Sequence, residues 1–402
     1  MKVYRTNTVQ FGDRPAATIA SIAVKKTAEL YKDDNPKAAQ IIIEDSYVDD
    51  IATGDENHGM VDAIQEGIEK ILEKAGFKVK GFCRSGDSSE ASLSLLGTGE
   101  LGRVLGIGWD PERDWFRVIV RINLSKRRRS AKGRGKGLEY DKIPQMVRLI
   151  VTKGILLSIV NSCYDPIGLL VAITIQMRIA LQEICKEDYG WNEELPEEIK
   201  EVWVEILQRM KAAEKVTFKR CVKPVNSKGL PQLIICSDGS ELAMCATAHI
   251  RWECTDGSVT CQLWTAKARV APLKNLTIPK LELQAVVLGN RSGKSTMKNS
   301  IWKFSKVHRI VDSECTLSTL KKDTLKLPEF QSNRVGECME SSDISEWFHT
   351  RSKYNIADLG TRNEATVQSI SEESEWQLGK QWMYLPVDQW PVTREIQGSH
   401  NV

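Results

Sequence analysis

The ten cysteines of this 402-residue chain include no C-x-x-C pair. Cys236, Cys245, Cys254 and Cys261 cluster in sequence, but their spacings fit no zinc module and no histidine pair accompanies them. They read as reduced thiols of an intracellular protein. No stretch approaches the ~18 uninterrupted apolar residues of a membrane-spanning helix. Met1-Lys2-Val3-Tyr4-Arg5 lacks the apolar core of a secretory signal. The expectation is a protein of the cytoplasm or nucleus, not secreted and with no membrane partner. Neither Asp-Thr-Gly nor Asp-Ser-Gly occurs, so the loops of an aspartic peptidase are missing; Asp238-Gly239-Ser240 has the residues in the wrong order. A net charge of only +3 does not announce a nucleic-acid binder, so local charge has to carry that argument.

What remains is an ordinary globular composition, 41% apolar and 27% charged, with length for two or three domains. A helix is expected from about Ala16 to Tyr31, ended by the breaker Asn35-Pro36. Ile41-Ile42-Ile43-Glu44-Asp45-Ser46-Tyr47-Val48-Asp49-Asp50-Ile51 then suits a hairpin presenting two adjacent carboxylates, Asp49 and Asp50; a bare Asp-Asp pair alone would be a turn. Val61, Ile64, Ile68, Ile71 and Leu72 make a helical stripe with Gly76 as C-cap. Phe77–Phe82 alternates like an edge strand, and Val104–Trp109 and Trp115–Leu124 read as strands. Lys126, Arg127, Arg128, Arg129, Lys132, Arg134 and Lys136 form the one concentrated basic stretch. It suits sequence-blind phosphate contacts, or else a solvated loop.

From Ile143 to Ala213 the pattern is helical, with Pro196 at a helix start and Ile199, Val202, Trp203, Ile206, Leu207 and Met210 on one face. Lys219–Gly229 reads as a linker. Leu233-Ile234-Ile235-Cys236 is a strand buried on both faces, ending at Asp238. Two strands follow, Ala243–Trp252 and Val259–Val270, joined at Thr255-Asp256-Gly257. Thr277 and Pro279 open a helix that is apolar nearly all round, yet it carries Glu282. A buried Glu needs a partner, a raised pKa or a metal. Val307–Val311 repeats the design of a strand ending in Asp-Ser at Asp312-Ser313. Asp358 opens a last short helix. Alone, each carboxylate has a structural reading as turn residue or ion-pair partner. Strand-end Asp, helix Glu, strand-end Asp and helix-start Asp make sense together where cations draw carboxylates to one point.

Tyr47-Val48-Asp49-Asp50 resembles the Y-x-D-D hairpin of reverse transcriptases. With Val9-Gln10-Phe11-Gly12-Asp13 and Thr53-Gly54, it resembles the BEL/Pao retrotransposon lineage. Tyr164-Asp165-Pro166-Ile167-Gly168-Leu169-Leu170, Ala266–Leu273, Pro279–Ala285, Ser237–Ser240 and Asn355–Arg362 extend that resemblance over nearly the whole chain. It implies an α/β and α+β organisation, a truncated reverse-transcriptase palm and thumb followed by an RNase H-like domain with a mixed five-stranded sheet and flanking helices. The implied divisions are a palm fragment (1–140), a helical thumb or connection (141–225), the RNase H-like domain (228–366) and a tryptophan-containing tail toward a missing integrase (367–402). The tail tryptophans Trp376, Trp382 and Trp390 are expected to pack onto the domain.

By that resemblance Asp238, Glu282, Asp312 and Asp358 would hold two Mg2+ or Mn2+ ions and cleave RNA in an RNA–DNA hybrid. Asp49 and Asp50 would be metal ligands of a polymerase remnant. Lys353 stands where related enzymes often carry an assisting histidine, and His349 reads as packing. Partners would be hybrid or other nucleic acid and the missing polymerase and integrase segments. Only 46 residues precede Tyr47, and no strand-borne third Asp lies among them, so independent DNA synthesis is not expected. The alternatives are a catalytically silent remnant that at most binds nucleic acid, and the peptidase after which the resembled family is named, which the missing loops argue against.

Overall fold

The computed structural model describes residues 14–47, 50–88, 102–104, 106–122, 138–274 and 276–395. Asp49 and the basic stretch Lys126, Arg127, Arg128, Arg129, Lys132, Arg134 and Lys136 lie outside them, as does Val9–Asp13. The chain divides into two compact units, one up to Trp115 and one from Phe116 onward.

In the first unit helices α1 (Ala16–Leu30), α2 (Pro36–Glu44) and α3 (His58–Glu73) share a small core. The isoleucine run expected as a hairpin arm is instead helix α2. Asn35 accepts a hydrogen bond from the Ala38 amide (3.1 Å) and Pro36 occupies the first turn, so the breaker starts a helix. Ala38, Ile41 and Ile42 then bury at helical spacing with Ile64, Ile68 and Ile71. What remains of the hairpin is two-residue strands, Ser46–Tyr47 (β1) and Asp50–Ile51 (β2). Phe77–Phe82 forms no strand; Phe77, Val79 and Phe82 pack on the helical core. Strands β3 (Gly102–Val104) and β4 (Ile107–Asp110) pair antiparallel, and Trp115–Arg117 (β5) is shorter than expected.

The second unit is built on a six-stranded mixed sheet. After the short β6 (Phe218–Lys219) come β7 (Ser227–Gly239), β8 (Ala243–Cys254), β9 (Val259–Val270), β10 (Lys306–Val311), β11 (Trp347–Thr350) and β12 (Val392–Thr393), in spatial order β12-β11-β10-β7-β8-β9. The β7-β8-β9 meander is antiparallel, while β10 and β11 run parallel to β7. Gly257, at φ 82°, makes the β8–β9 turn. β7 is central, so Leu233–Cys236 is buried on both faces. The sheet has one strand more than expected, because the tail returns as β12 beside β11.

Helix α8 (Ile278–Asn299) crosses one face of the sheet. It lies flush because Gly289 meets the Ser237 side chain and Gly293 meets Ile235, where a Cβ would collide. On its other flank Leu283, Val286 and Val287 pack with α9 (Glu314–Leu320) and α10 (Glu329–Met339). The opposite face is covered by helices α4 (Ile143–Ile150), α5 (Lys153–Ser162), α6 (Val171–Lys186) and α7 (Glu197–Ala213), and by the tail with its one-turn helix α11 (Glu375–Leu378). Leu156, Ile173, Leu207 and Met210 share one hydrophobic cluster with Ile234, Cys236, Leu263, Trp376 and Trp382. On α7 Val202 turns outward and Val204 takes a buried place instead.

Candidate active site

The four carboxylates come from four elements that the fold brings to one end of the sheet. Lys306–Val311 pairs in register with Gln232–Ser237, the last pair being Val311 and Ser237. One step further in both strands stand Asp312 and Asp238. Adjacent strands lie ~4.8 Å apart and in-register side chains of a parallel pair share a face. The two carboxylates therefore stand side by side at the C-terminal ends of parallel strands, where open α/β sheets bind ligands.

Gly239 brings in the third. A Cβ there would come within 2.7 Å of the Leu281 carbonyl and 2.8 Å of the Glu282 amide, so only glycine lets the first turns of α8 approach the strand end. Glu282 is half-buried and accepts a hydrogen bond from Thr316 Oγ1 (3.1 Å) on α9. The fourth arrives on the 3-10 turn Ile356–Gly360. Buried Asn355 donates from its side chain to the Ser237 carbonyl (2.9 Å) and accepts from the Ala357 amide (3.2 Å), tying that turn to β7 one residue before Asp238. Gly360 fits against Cys245 of β8, where a Cβ would collide with the sulfur.

Electrostatics shows the convergence. Burial pushes the Asp238 carboxyl up to about 7, and the neighbouring charges of Asp312 and Asp358 add to the rise, against a hydrogen bond from Thr361. Glu282 is raised by burial, with Asp312 adding, against hydrogen bonds from Ser313 and Thr316. Asp358 is raised by burial and by Asp312, against the Arg362 guanidinium. Asp312 thus acts on all three of the others.

Each of the three raised carboxylates has turned to a protein donor. The Thr361 hydroxyl donates to Asp238 Oδ2, Thr316 serves Glu282, and Arg362 Nε donates to Asp358 Oδ1 at 2.8 Å. Among the described residues no three His, Cys, Asp or Glu side chains converge closely enough to hold an ion as they stand. Thr316, Asn355, Thr361 and Arg362 went unassigned from sequence. The last three lay inside the Asn355–Arg362 motif; Thr316, on a separate helix, had no signal.

Other expected residues take different places, and His349 borders the site. Asp50 is exposed on the two-residue strand of the first unit. His349 lies on β11 with its ring Nε2 3.3 Å from the Asp312 carbonyl oxygen, and the Lys353 ammonium sits over the Tyr354 ring. A groove lined by Arg269, Arg291 and Arg334 lies on the face of α8 opposite Glu282, with Arg291 paired to Glu337.

A mixed sheet with three antiparallel strands, two parallel strands beyond the first, and a helix crossing to carboxylates at the strand ends defines an RNase H-like α/β domain. Residues 152–313 match the family model described as Pao retrotransposon-like RNaseH-like domain. The match takes in helices α5 to α8 and the sheet as far as Ser313, so Asp238, Glu282 and Asp312 lie within it and Asp358 beyond it. The chain is similar to two solved RNase H structures. One is the N-terminal RNase H domain of a Mycobacterium tuberculosis protein fused to maltose-binding protein, at 10% identity over 31% of this chain and 86% of that one, TM-score 0.21. The other is RNase H1 of the halophilic archaeon Halobacterium salinarum NRC-1, at 12% identity over 32% and 91%, TM-score 0.21. No curated protein matches the chain. Among the described residues no helix is long and apolar enough to cross a membrane.

Proposed function

We propose that this chain hydrolyses the RNA strand of RNA–DNA hybrids, using Asp238, Glu282, Asp312 and Asp358 as ligands of Mg2+ or Mn2+. The observation that carries the reading is the register of β7 with β10, whose last pair directly precedes Asp238 and Asp312, with Glu282 and Asp358 each near enough to Asp312 to be raised by its charge. The donor set fits the ions: all oxygen, hard, and mutually repulsive until a cation arrives. Two divalent ions bound there would supply an activated water and stabilise the leaving 3′ oxygen. The chain's own part is to bring the carboxylates to one end of the sheet. Gly239 admits α8, Asn355 fixes the turn of Asp358, and Thr361 orients Asp238. Hybrid recognition would rest on shape and 2′-hydroxyl contacts.

The test is cleavage of a labelled RNA–DNA hybrid with Mg2+ by the full chain. Cleavage is expected, with Asp238→Asn reducing it at least ~100-fold, as loss of a main electrostatic element does. Equal activity of chain and variant sinks the reading. The unclosed cation shell favours one second reading, a catalytically silent domain that binds nucleic acid; it predicts hybrid binding without cleavage. The natural context is a polyprotein with polymerase upstream and integrase downstream.

A further inference from the structure

Arg362 stands four residues after Asp358, and its guanidinium Nε donates to Asp358 Oδ1 at 2.8 Å. Its side chain is 56% exposed and that of Asp358 27% exposed. A surface ion pair of that kind is weak and exchanges readily. Both terminal nitrogens of the guanidinium lack a partner among the described residues. That leaves part of the planar fork that binds phosphate oxygens. The guanidinium is raised chiefly by Asp358, with smaller contributions from the charges of Glu364 and Asp238. One mobile cation thus sits at the solvent edge of a cluster of acids that repel one another.

We propose that Arg362 is an exchangeable cation of this site: it neutralises Asp358 in the ion-free protein and turns to a phosphate oxygen of the nucleic acid when a divalent ion takes Asp358. The inference rests on the reading of the four carboxylates as cation ligands. Charge bookkeeping supports it, since a bound divalent ion makes the Arg362–Asp358 pair redundant while the incoming strand brings negative charge to the same edge. Thr361, the adjacent residue, is different in kind. It is fully buried against Asp238 and stays as a positioning residue.

The exchange predicts shifts of opposite sign in one variant. Mg2+ binding to the full chain, measured by calorimetry without nucleic acid, tightens about two- to fivefold in Arg362→Gln, the factor set by losing a surface ion-pair competitor. Binding of an uncleavable hybrid (2′-O-methyl RNA paired with DNA) in Mg2+ weakens about tenfold, and its logarithmic salt slope falls by about one. Arg362→Lys, keeping the charge, restores most of the hybrid affinity. A purely structural Arg362–Asp358 pair would move neither binding in these directions. Unchanged or weaker Mg2+ binding, unchanged hybrid affinity, or no detectable Mg2+ binding by either protein overturns the proposal. If both shifts appear and no hybrid is cleaved, the exchange stands and the hydrolase reading falls. If cleavage occurs without the shifts, the exchange alone falls.

Discussion

Asp238 shows how much one side chain depends on its setting. In sequence it is a strand-end Asp before Gly-Ser, and a turn residue is the simplest account. In the fold it is buried, faces Asp312 and Asp358, and titrates near 7 against an ordinary 3.8. A carboxyl raised in the folded state binds more protons there than in the unfolded chain between those two values. Its contribution therefore becomes destabilising as pH rises through that window, and the penalty is fully present above about 7. In chelator, Asp238→Asn should be the more stable protein at pH 8, by on the order of a few kcal/mol. The gap should close toward pH 4. Thermal melts of the two proteins across pH decide it, and a constant difference would contradict the burial argument. Adding Mg2+ at pH 8 should stabilise the natural chain more than the variant.

At the scale of elements, Tyr164–Leu170 turns out to be a docking clamp. Asp165 is half-buried, raised by desolvation, and accepts hydrogen bonds from the amides of Gly168 (2.9 Å), Leu169 (2.9 Å) and Leu170 (2.8 Å), closing the turn that leads into α6. The Ile167 carbonyl accepts from the Ala266 amide (3.0 Å) and the Thr265 hydroxyl (2.6 Å), so the turn covers the edge of β9. Gly168 has φ 86°, and a Cβ there would fall on the Ala266 carbonyl oxygen. Gly168→Ala should cost at least ~2 kcal/mol, from left-handed strain plus displacement of α6, read by urea unfolding. Gly239→Ala acts on the site instead. It should lower hybrid cleavage more than Tm, because it pushes the first turns of α8, and with them Glu282, off the strand end. An unaltered rate would show that Glu282 needs no close approach.

At the scale of the whole molecule, the sheet does not stand alone. Helices α4–α7 and the tail share a core with it, and Trp376, buried completely, donates from its indole nitrogen to the Leu169 carbonyl (2.9 Å). Trp382 donates to the Tyr354 carbonyl (3.0 Å), and Arg251 inside β8 donates to the Met383 carbonyl (2.8 Å). A segment limited to 228–366 would leave that apolar face and those polar groups bare. It should be insoluble or molten, whereas 138–395 should give a cooperative thermal transition; calorimetry of both segments checks this. A cooperative melt of 228–366 would show that the helices are dispensable.

Local pattern by itself determined much of this protein. Buried runs such as Leu233–Cys236, the Thr255–Gly257 turn, the Pro196 and Thr277 helix starts and the order of the four carboxylates are signals a few residues long, and backbone propensity expresses them without distant help. It failed where burial outvoted local pattern: Ile41–Ile43 is as good a strand as a helix until Asn35 caps it and Ile64 and Ile68 receive it. Only the tertiary structure decided that Asp238 and Asp312 stand in register, that Thr316, Asn355 and Thr361 serve the site, and that tail and helices complete the core. Those facts are contacts across 34 to 207 residues of chain. No window of sequence encodes which distant donor a buried group will meet, because that partner is chosen by packing.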